Sequence, residues 1–192
     1  MAVNHLNDSA ATIQTMISQC LEDIVAAGEV LVESFKKGHK VLICGNGGSA
    51  ADAQHLAAEL MGRFTSVRKP LPAVALTTDT SLLTAWSNDV DFESVFARQV
   101  EGLGQPGDVL VAISTSGNAP NVVRAAAQAR KQDLQVIILT GNTGGKLAQG
   151  VRPEEIIIRV PSTDTQHIQE AHIAVGHILC ALVEKALAFQ AA

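Results

Sequence analysis

A strand, a glycine-rich turn and a helix follow one another between residues 41 and 59, and this unit constrains the fold most. The apolar run Val41–Cys44 leads into the turn Gly45–Gly48, and Ser49 opens a helix that carries His55 and Glu59. Glycine lets backbone N–H groups approach an anion closely, and a helix start adds unpaired donors and the positive end of its dipole. Because residues four apart share a helix face, the imidazole and the carboxylate can share a metal ion or a proton. The unit predicts a site for a phosphorylated substrate.

Short runs rich in Val, Ile and Leu alternate with helical patterns along the chain, which predicts an α/β fold. The predicted strands are Lys40–Cys44, Ala73–Leu76, Val109–Ser114, Gln135–Thr140 and Glu155–Val160. The predicted helices are Ser49–Arg63, Ser81–Trp86, Phe92–Val100, one after Pro120 and a last one from Thr165 to Phe189. Near-continuous apolar strands separated by helices are typical of a parallel sheet covered on both faces. Ligands of such sheets bind at the carboxyl ends of the strands.

A helical extension is predicted ahead of this core, so that residues 1–38 precede an α/β core at 39–192 in a single domain. From Ser9 to Lys37, apolar residues recur at three- and four-residue steps, with Gly28 as the expected break between two helices and Gly38 as the expected end. The apolar faces of this region and of the last helix exceed what a small sheet obviously covers, so we expect a homotetramer with closed symmetry. Packing against the chain's own sheet is the alternative.

Charge and composition exclude several classes of protein. A net charge of −5 provides no broad basic surface, so we expect no nucleic-acid partner. Arg63, Arg68 and Lys69 could still meet an anionic ligand, or else lie solvated at a helix end. The three cysteines have no metal-binding spacing, and we identify neither a signal peptide nor a membrane span. These features predict a cytoplasmic protein without a membrane partner.

A second loop with phosphate-binding chemistry follows the third predicted strand. The run Ser114-Thr115-Ser116-Gly117-Asn118 offers three hydroxyls and a glycine just ahead of a helix with Pro120 in its first turn. Hydroxyl donors and free helix N–H groups suit a phosphate, although ordinary capping and turn chemistry explains the same residues. Neither loop contains a strong cation, so dipoles and hydroxyls would supply most of the phosphate affinity.

The first turn also fits G-x-G-x-x-A, the fingerprint of dinucleotide-binding folds, but its surroundings argue against that interpretation. The supporting acidic residue belongs about 20 residues further on, at the end of the next strand. The first acidic residue after the second predicted strand is Asp79, which is much more distant. The turn is not a P-loop either, because no Gly-Lys-Ser/Thr follows it.

Three of the histidines lie in the last predicted helix. His167 is expected on an exposed turn, while His172 and His177 do not share a helix face. Gln169 and His177 are separated by about 12 Å along a helix axis, so they converge only if both side chains lean towards a ligand between them. Spacing alone does not identify a metal site in this helix.

Together these segments resemble the sugar isomerase (SIS) family and, within it, the branch that isomerises sedoheptulose 7-phosphate. The resemblance covers about residues 40 to 185, and the helical N-terminus agrees in kind. The shared segments are Cys44–Ser49, Asp52 to Glu59, Asn88-Asp89, Gly107–Leu110, Ile113–Asn118, Leu139–Gly141, and Ile168–Glu170 with His172 and His177. The Ser-Thr-Ser-Gly run marks only the wider family, and its combination with the His, Glu and Gln positions is far more specific.

The resemblance implies a fold, an assembly and a set of site residues. It implies a five-stranded parallel sheet flanked by helices, a homotetramer, and active sites built between subunits. The implied substrate contacts are Asn46, Gly47, Gly48, Ser49, Asn88, Asp89, Ser114, Thr115, Ser116 and Gln169. The implied ligands of one zinc ion per subunit are His55, Glu59, Gln169 and His177, with Glu59 as the base and His177 as the acid. Many members have serine where this chain has Ala119, which removes one hydroxyl near the phosphate.

The implied reaction converts sedoheptulose 7-phosphate to D-glycero-D-manno-heptose 7-phosphate through an enediol, the first step towards ADP- or GDP-heptose for bacterial surface carbohydrate. One alternative is a non-enzymatic relative of the same fold that binds the bacterial replication initiator. That relative lacks a carboxylate at the position of Glu59, so Glu59 favours the enzyme. Another alternative is a different sugar-phosphate isomerase or sensor, against which Gln169, His177 and the long helical N-terminus argue.

Overall fold

Five parallel strands form the sheet of the computed structural model, which describes residues 1–188. The strands are β1 (Val41–Cys44), β2 (Ala73–Ala75), β3 (Val109–Ser114), β4 (Gln135–Gly141) and β5 (Ile156–Val160). Every residue of β1 and β3 is buried, because helices cover both faces of the sheet, and continuous apolar strands follow from that burial. The predicted α/β fold with a five-stranded parallel sheet flanked by helices is confirmed.

Most helices lie close to the positions that apolar periodicity indicates, although α1 begins at Ala2, ahead of the predicted Ser9. They are α1 (Ala2–Gln19), α2 (Leu21–Lys36), α3 (Gly48–Met61), α4 (Thr80–Asp89), α5 (Val95–Leu103), α6 (Pro120–Lys131), α7 (Gly145–Gln149) and α8 (Thr165–Ala188). The short α7 was not predicted. The predicted end of the last helix at Phe189 lies outside the described residues. No helix within residues 1–188 combines the length and the apolar character that crossing a membrane requires.

The N-terminal helices divide at a different place from the one predicted. The break falls at Cys20, whose φ of −126° and ψ of −7° depart from helical values, and Gly28 lies inside α2. Gly28 packs directly against Leu182 of α8, so its small size serves helix packing rather than a break. The predicted end at Gly38 is confirmed, since this residue takes a φ of 79° directly after the last turn of α2.

The sheet separates two apolar cores. Because successive side chains of a strand point to opposite faces, Val41 and Ile43 belong to the core under α1, α2, α3 and α8. Leu42 and Cys44 belong to the core under α5 and α6, to which α4 and α7 add smaller contributions. The first core holds α3 and α8 on the same face of the sheet, and this arrangement positions the functional groups described below.

The strand order β2-β1-β3-β4-β5 creates a crevice between β1 and β3. From β1 the chain continues to β2 on one side, and from β3 it continues to β4 on the other. The loops that follow β1 and β3 therefore lead in opposite directions from the carboxyl ends of these neighbouring strands. Open parallel sheets bind ligands at such a point. Both predicted phosphate loops, after Cys44 and after Ser114, begin at this edge.

Candidate active site

The turn after β1 places backbone N–H groups at the carboxyl edge of the sheet. Gly47 takes a φ of 55°, which suits glycine, and α3 begins at the next residue without a side-chain cap. A Cβ atom at Gly48 would lie 2.5 Å from Nε2 of Gln169, so the glycine lets this amide lie directly against the start of α3. The N–H group of Ser49 already donates to the carbonyl oxygen of Asn46 at 3.0 Å. Among the described residues, the N–H groups of Gly47 and Gly48 have no such partner and can meet an anion. Gly47 and Gly48 thus lie in the predicted turn, and the buried Ser49 lies in the first turn of α3.

The loops after β3, β4 and β5 surround a cleft of about 210 Å³ that is rich in hydroxyl groups. Its lining residues are Thr115, Ser116, Asn118, Gly141, Asn142, Thr143, Ser162, Thr163, Thr165 and Ile168. The sequence analysis identified Thr115 and Ser116 but missed the hydroxyls that follow β4 and β5. A Ser-Thr pair just after a predicted strand, as at Ser162 and Thr163, was the signal that could have found them. Among the described residues, no Lys or Arg lines the cleft, so hydrogen-bond donors would hold an anion here.

Two asparagines join the first turn to the second loop. Nδ2 of Asn46 donates to Oδ1 of Asn121 at 2.8 Å, and Nδ2 of Asn121 donates to Oδ1 of Asn46 at 2.9 Å. Asn121 is buried at the start of α6, where Oδ1 also accepts from the backbone N–H of Val122. This reciprocal pair holds the two loops together across the β1–β3 crevice. Sequence reasoning missed Asn121, because a polar residue in a first helical turn is ordinary.

His55, Glu59 and His177 converge where α3 packs beside α8. Nε2 of His55 lies 3.0 Å from Nε2 of His177 and 3.5 Å from Oε1 of Glu59. The side chain of His55 is 47% exposed and that of Glu59 is 25% exposed, so the group opens to solvent. Leu56 and Leu60 of α3 are buried in the core. Two imidazoles and a carboxylate in this arrangement can bind a divalent cation or transfer a proton.

The parallel packing of α3 and α8 explains this convergence. Gly48 contacts Gln169 near the start of both helices, and Gly176 meets Leu56 about two turns later, where a Cβ atom would lie 2.4 Å from a Leu56 methyl group. His177, next to Gly176, is thereby carried to His55, although 122 residues separate them. Gln169 belongs to the opposite end of the same interface, and its role as a metal ligand stays a prediction.

A buried ion pair supports the end of α3 that carries Glu59. Nε of Arg68 donates to Oε2 of Glu184 at 3.2 Å, and Nη2 of Arg68 donates to the backbone oxygen of Glu59 at 2.8 Å. The side chains of Arg68 and Glu184 are 11% and 6% exposed. Arg68 is therefore committed to internal contacts, and the suggestion that it meets an anionic ligand is wrong. Arg63 and Lys69 are exposed.

Asp52 lies one turn before His55, and the sequence analysis assigned it no role. Its Oδ2 atom is buried without a hydrogen-bond partner within the described chain. Burial raises the pKa of the Asp52 carboxyl to about 6, and the nearby His55 opposes this shift. A carboxyl group with a raised pKa beside the histidine pair adds a further titratable group to the site.

Two other predicted positions lie elsewhere. Asn88 and Asp89 end α4 as exposed residues, and Nδ2 of Asn88 donates to Oδ1 of Asp89 at 2.8 Å. Their role as substrate contacts stays a prediction. The expectation that His167 is exposed is wrong, because this residue is buried and its ring lies 4.6 Å from that of His5 in α1.

A second cluster of metal-binding side chains lies apart from the predicted one. Within residues 1–188, a set with all its donor atoms within 4.8 Å of one another consists of His5, His167 and Glu170. A metal ion is compatible with these donor types.

Comparisons with known proteins agree with this fold. The model of the SIS domain family matches residues 4–141. The phosphoheptose isomerase of Rhodospirillum rubrum is 55% identical over 179 residues, which are 93% of this chain and 94% of the relative. That of Aquifex aeolicus is 51% identical over 93% of this chain and 92% of the relative.

Solved structures show the same relationship. The phosphoheptose isomerase of Neisseria gonorrhoeae is 44% identical and superposes with a TM-score of 0.92, covering 96% of this chain and 97% of the other. The enzyme of Francisella tularensis, 35% identical, also gives a TM-score of 0.92 over 96% of this chain and 99% of the other. The chain therefore belongs to the SIS domain family, in its phosphoheptose isomerase group.

Proposed function

We propose that the chain is an aldose–ketose isomerase that converts sedoheptulose 7-phosphate to D-glycero-D-manno-heptose 7-phosphate. Relatives named phosphoheptose isomerase, which match nearly the whole chain, support this activity. The observation that carries it is the convergence of His55, Glu59 and His177, together with a separate hydroxyl-rich cleft that borders the start of α8. Such a site combines proton-transfer groups with a separate anchor for a phosphate. Its product would serve bacterial surface carbohydrate.

The reaction requires two proton movements, which two kinds of side chain can perform. As base, the Glu59 carboxylate would take a proton from C1 of the ketose and return it to C2 after the enediol has formed. The imidazole of His177 would move the second proton from O1 to O2. Positioned groups of this kind contribute about 10²–10⁴-fold to a rate. Glu59 is partly exposed and one turn from His55, so a substrate can reach it.

The phosphate would bind away from the reacting carbons. Thr115, Ser116 and the other hydroxyls of the cleft can donate to its oxygens. The uncapped start of α3 beside Gly48 contributes N–H groups and the helix dipole. The distance along α3 from Gly48 to His55 is about 10 Å at 1.5 Å per residue, which leaves room for an extended sugar. Remote binding of this kind positions the reacting end.

Zinc fits the donor set at the reacting end. Two histidine nitrogens and one glutamate oxygen are usual zinc ligands, and Nε2 atoms facing one another at 3.0 Å suit a shared cation or a shared proton. We infer that His55, Glu59 and His177 hold it, with Gln169 added by family resemblance. When bound, zinc polarises a carbonyl oxygen and stabilises negative charge on the enediolate.

We propose a homotetramer with sites between subunits. An exposed apolar stripe, which we call the outer stripe, runs along α1 and α2 at four-residue steps. Its residues are Ile13, Ile17, Leu21 and Val25, each at least 40% exposed. Exposed contiguous apolar residues of this kind mark interaction surfaces. The exposed Asn88 and Asp89 would reach a neighbouring subunit's substrate. Buried free thiols at Cys20, Cys44 and Cys180 support a reducing, cytoplasmic location.

Replacing Glu59 by Gln tests the activity. Glu59→Gln preserves size but removes the base, so turnover of sedoheptulose 7-phosphate should fall about 10²–10⁴-fold at saturating zinc. The control is Glu101→Gln, which changes an exposed glutamate that pairs only with Arg98 in α5. The proposal fails if wild-type protein turns over the substrate no faster than Glu59→Gln. Binding to the replication initiator would then be tested as the function.

A further inference from the structure

A second histidine–glutamate cluster joins the first helix to the last. Nε2 of His5 in α1 lies 2.9 Å from Oε1 of Glu170 in α8. Nδ1 of His167 lies 3.3 Å from Oε2 of the same carboxylate. The two imidazole rings are 4.6 Å apart, and the donor atoms of all three residues lie within 4.8 Å of one another. Three donors from two helices thus point to one volume.

We propose that His5, His167 and Glu170 form a second metal site, for a divalent cation of the zinc type, separate from His55, Glu59 and His177. Imidazole nitrogen and carboxylate oxygen are the donors that zinc prefers besides thiolate. Tetrahedral zinc with bonds of about 2.0–2.1 Å separates its ligand atoms by about 3.3 Å. The observed separations of 2.9 and 3.3 Å, which run to the two oxygens of the Glu170 carboxylate, are close to this value. All three donor atoms lie within 4.8 Å of one another, so side-chain rotation would have to bring them around the ion.

The surroundings provide both support and access. The side chain of His167 is 10% exposed, so its ring is held by packing, whereas His5 and Glu170 are 37% and 40% exposed. One side of the cluster therefore opens to solvent, through which an ion can enter and a water molecule can complete the coordination. The competing explanation is a purely hydrogen-bonded cluster, in which each carboxylate oxygen accepts from one imidazole.

An ion at this position would fasten α1 to α8 across 165 residues of sequence. Its ligand Glu170 directly follows Gln169, whose amide packs over Gly48 at the start of α3. The ion would thereby restrain both the N-terminal helix and the part of α8 that borders the glycine turn. This inference uses different residues from the proposed active-site metal and stands or falls separately from it.

Zinc stoichiometry tests the proposal. Metal-stripped full-length protein is dialysed against zinc alone, and bound zinc is measured by elemental analysis together with circular dichroism to verify folding. We expect two ions per subunit in the wild type and one in His5→Gln and in Glu170→Gln. His39→Gln, which removes a histidine far from the cluster in sequence and beside Asp108, should retain two.

The active-site variant separates this inference from the proposed function. His55→Gln should bind one ion per subunit, and the double variant His5→Gln/His55→Gln should bind none. If His5→Gln loses an ion while His55→Gln does not, the second site stands and the proposed active-site zinc fails. If folded His5→Gln and Glu170→Gln both bind as much zinc as the wild type, the cluster is only hydrogen-bonded and the proposal is overturned.

Discussion

At the scale of the residue, Gly117 determines whether the second loop can form. Its φ is 66°, and a Cβ atom there would lie 2.0 Å from the carbonyl oxygen of Gly144. The backbone of the loop after β3 therefore packs directly on the loop after β4, and this contact places Ser116 in the cleft. Hydroxyl groups from the loops after separate strands line one cleft, because the glycines allow the backbones of these loops to pack closely.

Replacing Gly117 by Ala should damage both stability and binding. The unfavourable φ alone costs about 1–3 kcal/mol for a residue with a side chain, and the clash with Gly144 adds to this cost. We expect a lower melting temperature and a higher KM for the sugar phosphate. Gly102→Ala is the matched control, because a Cβ in that part of α5 meets nothing within 4 Å and alanine favours helix. Equal melting temperatures for the two variants would contradict this account of the loop.

At the scale of the element, Glu184 of α8 organises the segment that follows α3. Its carboxylate accepts from the backbone N–H groups of Phe64, Thr65 and Ser66 at 3.4, 3.0 and 3.0 Å, and from the Thr65 hydroxyl. Burial opposes ionisation, but these hydrogen bonds outweigh it and hold the pKa of Glu184 below its ordinary value. The ring of Phe64 in this segment lies 6.0 Å from that of His177, so the carboxylate also supports the site.

This lowered pKa makes a pH-dependent contribution to stability. A carboxyl group with a folded pKa below its unfolded value of about 4.3 stabilises the fold above that value, and the contribution disappears as pH falls through the folded pKa. We therefore expect Glu184→Gln to lower the free energy of unfolding at pH 7. The difference from the wild type should shrink on acidification below about pH 4, as measured by urea unfolding. Glu101→Gln, in an exposed pair with Arg98, should change little at either pH. A difference that is independent of pH would contradict this assignment.

At the scale of the whole molecule, the N-terminal helices have an inner and an outer apolar stripe. The inner residues are Met16, Cys20, Ile24, Leu31 and Phe35, which are buried in the core under α1, α2, α3 and α8. The outer stripe defined above remains exposed on the single chain. The sequence left two alternatives for these helices, packing against the chain's own sheet or against another subunit. The inner stripe packs in the chain's own core, and the outer stripe is exposed and could pack against another subunit.

Charging the outer stripe should break the assembly without unfolding the subunit. Ile17 and Leu21 are 58% and 52% exposed, so Ile17→Asp and Leu21→Asp leave no cavity but place carboxylates in the proposed subunit interface, where burial of a charge is costly. Light scattering should give a tetramer mass for the wild type and a smaller mass for these variants, with unchanged circular dichroism. Leu103→Asp, at the exposed end of α5, is the control. A wild-type protein of monomer mass at micromolar concentration would overturn the prediction.

Local patterns in the sequence determined the alternation of strands and helices, the glycine turn and the shared face of His55 and Glu59. Each follows from neighbours in the chain: buried parallel strands require apolar runs, a positive φ favours glycine, and helical residues four apart project together. The sequence pattern did not predict the break at Cys20, because Gly28 has the lower helix propensity and was the expected break. Gly28 nevertheless lies inside α2, where its small size allows close contact with Leu182. Propensity is overridden where packing between helices provides more free energy.

Only the tertiary structure decided which distant side chains meet. The family resemblance implied that Gln169 and His177 act together with His55 and Glu59, which spacing along the chain does not show. The parallel packing of α3 and α8 brings His177 to His55 and Gln169 to Gly48. The tertiary structure also pairs Arg68 with Glu184 and places the His167 ring next to the His5 ring. Such pairings depend on how apolar faces of separate elements fit in three dimensions, which periodicity along one segment does not encode.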